Sequence, residues 1–375
     1  MAKTYTALGL MSGTSMDGVD VSVIKSDGND NYQAIIDKYF EYDNMIYEEL
    51  TDIREKINYP EDLNSHSITL RNLERKITLF HAEVTKKVID EHNLEVDMVG
   101  FHGQTIFHNS KKKISKQLGD GNLLSSLLKK KIIYNFRQND LENNGEGAPL
   151  TPIFHQLLVN QKKLTLPVCI LNIGGIANAT IVTSSKNSDL KSYDIGPGNC
   201  LLDEWIRKKT KKRYDINGET AKIGKTNEII LNQAIENFVN NNDKKKLSLD
   251  IKDFSLNFVR GLSLEDGLST LTDFTANLIS QAIIDTPLIK KNNKLNILVC
   301  GGGRKNLTLI ESLKRNLPKN ININLIDDYK INGDFVESQA FAYLAIRSFL
   351  KLPISFPKTT NVDFASTGGV LAENY

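Results

Sequence analysis

With 375 residues and a hydrophobic fraction of 40%, the chain can fill two cores, so two domains with a cleft between them are expected. Its 47 basic and 45 acidic residues nearly cancel, which argues against nucleic acid or an anionic membrane as a partner. The basic runs at 111–113, 129–131, 207–213 and 244–246 lack interleaved aromatics and read as solvated surface. Cys169, Cys200 and Cys300 are widely spaced and odd in number, which excludes a paired zinc or redox motif. They suit reduced thiols in a cytoplasmic protein, and neither a leader peptide nor a membrane span is expected.

The first predicted strands, 5–10 and 19–24, flank the turn Gly13-Thr14-Ser15-Met16-Asp17-Gly18. Its backbone N–H groups can approach a phosphate, Gly13 and Gly18 leave room, and Thr14 and Ser15 add hydroxyls. Asp17 supplies a carboxylate able to hold a phosphate-bound magnesium through water. An ordinary tight hairpin with Asp17-Gly18 at its turn is the simpler account of the local pattern.

A third strand spans 32–42. Leu73, Ile77, Phe80, Val84 and Val88 give the segment 63–92 one apolar helical face, which reads as packing. An apolar strand at 96–101 ends in the polar turn His102-Gly103-Gln104-Thr105. Asp120 caps a short helix to 128, and a strand at 131–136 follows. Strands alternating with helices argue for an α/β layered fold.

The polar stretch 139–147, with Pro149 and Pro152 after it, marks a domain boundary near 147. The order of elements then repeats: a strand at 168–173, a small-residue turn from Gly174-Gly175 to Asn178, and strands at 179–183 and 191–195. A helix at 264–284, a strand at 295–300 leading into Gly301-Gly302-Gly303, a strand at 322–326 and a helix at 336–350 complete the second domain, 148–350. The tail, 351–375, is expected to return to the first.

Asp194 ends a strand beside Gly196-Pro197-Gly198-Asn199, where a carboxylate can serve as a general base. A loop aspartate accepting backbone N–H bonds explains it equally. The triple glycine suits either a nucleotide or close helix packing. Three glycine-bearing turns after strands favour a nucleotide held between two lobes, although no Walker A, kinase glycine loop or dinucleotide fingerprint is present. His102, Gln104 and His108 suit hydrogen bonding to a substrate, or capping, better than a metal. Arg137 can pair with a substrate carboxylate or form a surface salt bridge. Glu337 begins a helix, where the helix dipole alone would favour it.

At Gly9 to Gly18, His102-Gly103-Gln104-Thr105, Gly147-Ala148-Pro149-Leu150, Leu171-Asn172-Ile173-Gly174-Gly175, Asp194 with Gly196-Pro197-Gly198-Asn199, Gly301-Gly302-Gly303 and Glu337 through Ala342, the chain closely resembles the anhydro-N-acetylmuramic acid kinase family. The motifs run in family order and cover nearly the whole chain. The resemblance implies two ribonuclease-H-like lobes of the sugar kinase, Hsp70 and actin superfamily with ATP in the cleft. It implies ATP- and Mg2+-dependent opening and phosphorylation of 1,6-anhydro-N-acetylmuramic acid to N-acetylmuramic acid 6-phosphate, in cell-wall recycling, by a homodimer.

By the same resemblance Asp194 is the base. Gly13, Thr14, Ser15, Met16, Asp17, Gly18, Val19 and Asp20 hold the ATP phosphates, with Asp17 toward magnesium. Gly174, Gly175, Gly196, Gly198, Gly301, Gly302 and Gly303 complete the nucleotide site, and His102, Gln104, Arg137 and Glu337 lie near the sugar with Asp194. The segment 244–255 departs from the family's Lys-Ser-Thr-Gly-Arg-Glu, which puts in doubt any contact assigned to it. The alternatives are a superfamily kinase acting on another amino sugar or polyol, and a nucleotide-operated binding protein, which would have no reason to gather His102, Arg137 and Glu337 near Asp194.

Overall fold

The computed structural model describes residues 3–241, 248–287 and 294–375, residue 241 by its main chain alone, so the basic run at 244–246 lies outside the described residues. The chain divides into two α/β units. The first comprises Met1–Leu164, Ser185–Leu190 and Phe335–Tyr375, and the second comprises Thr165–Ser184 and Lys191–Asp334.

In the first unit, β1 (Tyr5–Ser12), β2 (Gly18–Ser26) and β3 (Tyr32–Glu41) form an antiparallel meander. Next come β4 (Met98–Asn109), β5 (Ile114–Leu118) and β6 (Lys131–Tyr134). The sheet order is β6-β4-β1-β2-β3, with β4 parallel to both β1 and β6, β5 a hairpin extension of β4, and the strand Val370–Ala372 antiparallel to β6. In the second unit, β7 (Val168–Ile173), β8 (Ile176–Val182), β9 (Lys191–Pro197), β10 (Leu295–Cys300) and β11 (Ile321–Leu325) repeat that plan. The order is β11-β10-β7-β8-β9, three antiparallel strands followed by two parallel ones. This 3-2-1-4-5 arrangement in both units is the ribonuclease-H-like sheet expected from the resemblance.

Period-two alternation explains how the first sheet is covered on both faces. Leu8, Leu10, Val99 and Phe101 join Leu73, Ile77, Val84 and Val88 of the helix Ser67–Glu91 in one core. The intervening residues, Gly9 and Gly100, face the helix Val336–Phe349, where a Cβ would overlap the carbonyl oxygens of Ser338 and Phe341 respectively. Only glycine at these two crossings lets that helix lie against β1 and β4. The first unit thus runs to residue 164 and takes in 185–190 and everything from 335, where the sequence suggests divisions near 147 and 350: the helix at 336–349 follows the second unit in sequence but packs in the first.

The second core packs Leu171, Ile173, Ile297 and Val299 against Ile279, Ile283, Leu309 and Leu313. β7 is buried along its whole length, as a continuous apolar run predicts. Cys169 and Cys300 are buried free thiols in these strands, and burial pushes the Cys169 thiol up to about 12. No helix among the described residues is long and apolar enough to cross a membrane.

Candidate active site

The predicted site residues are divided between the units, and each set is built by its own unit. In the first, β1 runs into the turn 13–16, closed by the Met16 amide donating to the Gly13 carbonyl at 3.2 Å. Met16 has φ +58° and its side chain is buried in the core, so it anchors the turn from below. The turn's carbonyls are tied back into the unit. Gly13 O also accepts from Gln104 Nε2 at 2.9 Å, Thr14 O from Arg54 Nη1 at 3.5 Å, and Asp17 O from the Tyr42 amide at 2.9 Å.

Thr14 and Ser15 are exposed, and their amides donate to nothing within the chain among the described residues. A turn whose carbonyls are already bonded while two successive exposed residues keep unbonded amides suits an anion. Gly13 is open, since a Cβ there would meet only Ser15 Oγ, at 3.7 Å. The Ser15 hydroxyl donates to the Asp17 carboxylate behind the turn. Val19 is in the core, Asp20 sits on β2 opposite Met11, and at Gly18 the missing side chain's space is taken by Phe40 and Tyr39 of β3. These three shape the turn through packing and strand register.

Contrary to the expectation of a turn at 102–105, β4 continues through Asn109, because beyond Phe101 it pairs with β5. His102 and Gln104 therefore project from a strand. Gln104 is fully buried opposite Ser12, and its side-chain amide donates to the 13–16 turn. His102 donates from Nδ1 to Gly103 O at 2.7 Å, which leaves Nε2 to accept from Arg137 Nη2 at 3.1 Å. Burial and the adjacent guanidinium hold its pKa down to about 3, so the ring is neutral and orients Arg137. The Phe341 ring lies 4.5 Å from that of His102, one helical turn beyond Glu337 on the same helix. This helix is clamped by Gln339 Nε2 on both Asp37 oxygens, each at 3.0 Å, and by Ser338 Oγ at 2.7 Å from Ser22 Oγ. His108 lies apart, its Nδ1 3.0 Å from Ser115 Oγ.

In the second unit, Gly174 and Gly175 form the tight turn between β7 and β8. The amides of Gly198 and Asn199 donate to Gly175 O and Gly174 O at 2.9 and 2.8 Å, seating the Gly-Pro-Gly-Asn loop on that turn. A Cβ at Gly198 would overlap Gly174 O, and one at Gly303 would overlap the Ile173 side chain. Gly301 has φ +79° and backs onto Asn172, while Gly196 faces Leu278. Gly174 and Gly302 are the open ones: their nearest neighbours to a Cβ are 3.6 and 3.8 Å away.

Sequence reasoning missed Arg304. Buried behind the triple glycine, it donates from Nη1 to Gly301 O at 3.1 Å and to Asp334 at 2.6 Å, and from Nε to Asp327 at 2.7 Å. Burial raises the two carboxyl groups, but the bonds and charge of Arg304 outweigh it and hold both below their ordinary value. The Gly-Gly-Gly-Arg run followed by Asp327 and Asp334 was the available signal.

Asp194 lies on β9 opposite Asn178 and accepts at Oδ2 from the Leu249 amide at 2.8 Å. The departing segment thus reaches Asp194 through its main chain, which any residue but proline supplies. Among the described residues no three His, Cys, Asp or Glu side chains converge as a metal site.

A family profile described as anhydro-N-acetylmuramic acid kinase matches residues 5–373. An anhydro-N-acetylmuramic acid kinase of Pelagibacter ubique is 64% identical over 375 residues, covering 100% of each chain. One of Methylobacterium nodulans is 35% identical over 98% of this chain and 99% of its own. Among solved structures, the (R)-2-hydroxyglutaryl-CoA dehydratase component A of Acidaminococcus fermentans is similar at TM-score 0.45 and 12% identity, over 92% of this chain and 100% of that one.

Proposed function

The chain belongs to the anhydro-N-acetylmuramic acid kinase family and is a kinase, and on that premise we propose that it opens 1,6-anhydro-N-acetylmuramic acid with water while transferring the γ-phosphoryl group of ATP to the sugar. Asp194 accepts a proton from water as the water oxygen bonds to C1. The C1–O6 bond breaks, and O6 takes the phosphoryl group, giving N-acetylmuramic acid 6-phosphate and ADP.

The observation that carries this reading is the 13–16 turn, whose Gly13 and Thr14 carbonyls accept bonds from within the unit while the Thr14 and Ser15 amides donate to nothing among the described residues. That turn holds the phosphates of ATP. Magnesium, when bound, neutralises phosphate charge, and Asp17 would hold it through water. Gly174 and Gly302 offer the second unit's open backbone to the nucleotide, with Gly175, Gly196, Gly198, Gly301 and Gly303 shaping it. Arg137, oriented by His102, pairs with the lactyl carboxylate, and Glu337 hydrogen-bonds the sugar. The enzyme acts as a cytoplasmic homodimer in cell-wall recycling, and a concentration series in sedimentation tests the dimer.

Incubation with ATP, magnesium and the anhydro sugar in 18O-water should yield a 6-phosphate carrying one 18O at C1. An untouched anhydro sugar, alongside phosphorylation of another amino sugar, would reject the substrate. Gly13→Val places a side chain on the open face of the turn and should raise KM for ATP at least tenfold.

A further inference from the structure

Ser12, Tyr42 and His81 lie beneath the 13–17 turn, at most 2% exposed, and take no part in the proposed chemistry. His81 Nδ1 is 2.7 Å from the Ile77 carbonyl oxygen, which only accepts, so Nδ1 carries the proton and Nε2 presents a lone pair. Ser12 Oγ, 3.1 Å from Nε2, must donate to it. The single Ser12 proton being used, the Tyr42 hydroxyl, 2.9 Å away, donates to Ser12 Oγ. The direction of every bond from Tyr42 to Ser12 to His81 to Ile77 is therefore determined. Burial lowers the His81 pKa to about 4, which keeps the ring an acceptor near neutral pH.

Tyr42 has a second attachment: its amide donates to Asp17 O at 2.9 Å. One residue thus grips both ends of the turn, Ser12 by its hydroxyl and Asp17 by its main chain. Its ring packs separately on Phe80, centroids 4.9 Å apart. We infer that Tyr42, Ser12 and His81 form a buried clasp that positions the phosphate-binding turn, which makes Tyr42 a positioning residue for the nucleotide. The inference rests on the reading that the 13–16 turn holds the ATP phosphates. A turn held at both ends presents its amides without first being ordered, and each lost link returns that ordering cost to nucleotide binding.

The test measures KM for ATP, KM for the anhydro sugar, kcat, ADP affinity by calorimetry and thermal stability in Tyr42→Phe, Ser12→Ala and the double variant. Tyr42→Phe keeps the ring and amide and removes only the hydroxyl. Each single variant should raise KM for ATP and the Kd for ADP about fivefold, with the sugar KM within twofold. The double variant should be no worse than about twice either single one, because both sever the same link. Should Tyr42→Phe fail to fold, Ser12→Ala decides. Unchanged nucleotide affinity, or equal rises for nucleotide and sugar, overturns the clasp. If Gly13→Val weakens ATP binding while the clasp variants do not, the clasp alone is wrong. If Gly13→Val binds ATP normally, the phosphate reading falls and the clasp's role with it.

Discussion

Arg137 Nη2 donates to His102 Nε2 across 3.1 Å, and the imidazole that receives it is already committed at Nδ1 to Gly103 O. A histidine so held is an aiming device for the guanidinium and has no proton to give or take near neutral pH. His102→Leu removes the acceptor while filling the space beside Phe341. It should raise KM for the anhydro sugar about tenfold, the worth of a charge-assisted hydrogen bond, and leave KM for ATP within twofold. Nitrogen NMR of the wild-type ring should show it neutral from pH 5 to 8.

Acid should destabilise the protein before its carboxylates titrate. His81 is lowered to about 4, and His102 and His155 to about 3, from 6.5, each by burial first. Their unfolded states bind the extra protons, so stability is full above 6.5 and is lost as pH falls from there toward the folded values. Each contributes about 1.4 kcal/mol per pH unit within that window. Asp37 and Asp140, raised by burial, act in the opposite sense just above 3.8. Urea denaturation at pH 7.0, 6.0 and 5.0 should show the midpoint falling steadily.

Replacing Asp194 with Asn should lower kcat by roughly 10²- to 10⁴-fold, the contribution of a general base, with thermal stability and KM for ATP nearly unchanged. Leu249→Pro deletes the amide that donates to Asp194 Oδ2. It should cost about tenfold or more in kcat, whereas Leu249→Ala, which keeps the amide, should remain within threefold. Equal losses in the two would show that the side chain matters and the amide does not.

Arg304→Met leaves Asp327 and Asp334 without their shared cation and frees the Gly301 carbonyl. Because the carboxylates are only partly buried, the expected cost is about 2 to 3 kcal/mol, below that of a fully buried pair. Chemical denaturation measures it, and KM for ATP should rise as the triple-glycine segment loosens.

Strands such as those at 5–10, 19–24 and 168–173, the helix at 264–284, the Asp120 cap and the repeated order of elements are legible because periodicity and capping are local, whereas β5, which prolongs β4 through 102–105, is not. What each glycine does is not legible either. Gly13, Gly174 and Gly302 are open, while Gly9, Gly18, Gly198 and Gly303 are glycines because another part of the chain occupies the side chain's place, a fact of tertiary approach. The partner of Gln104 is of the same kind: its neighbour in sequence is His102, but its side-chain amide reaches Gly13 in space. His81 sat on a helical face that read as packing, and only its distances to Ile77 and Ser12 reveal a polar task. Arg304 needed two aspartates, 23 and 30 residues away, to acquire meaning.

The helix Val336–Phe349 is translated after all of the second unit, yet it covers the Gly9 and Gly100 face of the first. On the ribosome the second unit has its complete sequence first. The earlier-made sheet must wait with β1 and β4 bare on one side throughout that synthesis. A chain interrupted near residue 334 would hold a finished second unit and a half-covered first, a species with exposed sheet surface suited to chaperone capture or aggregation. The close glycine crossings that fit this helix to its sheet thus also set the order in which the protein becomes whole.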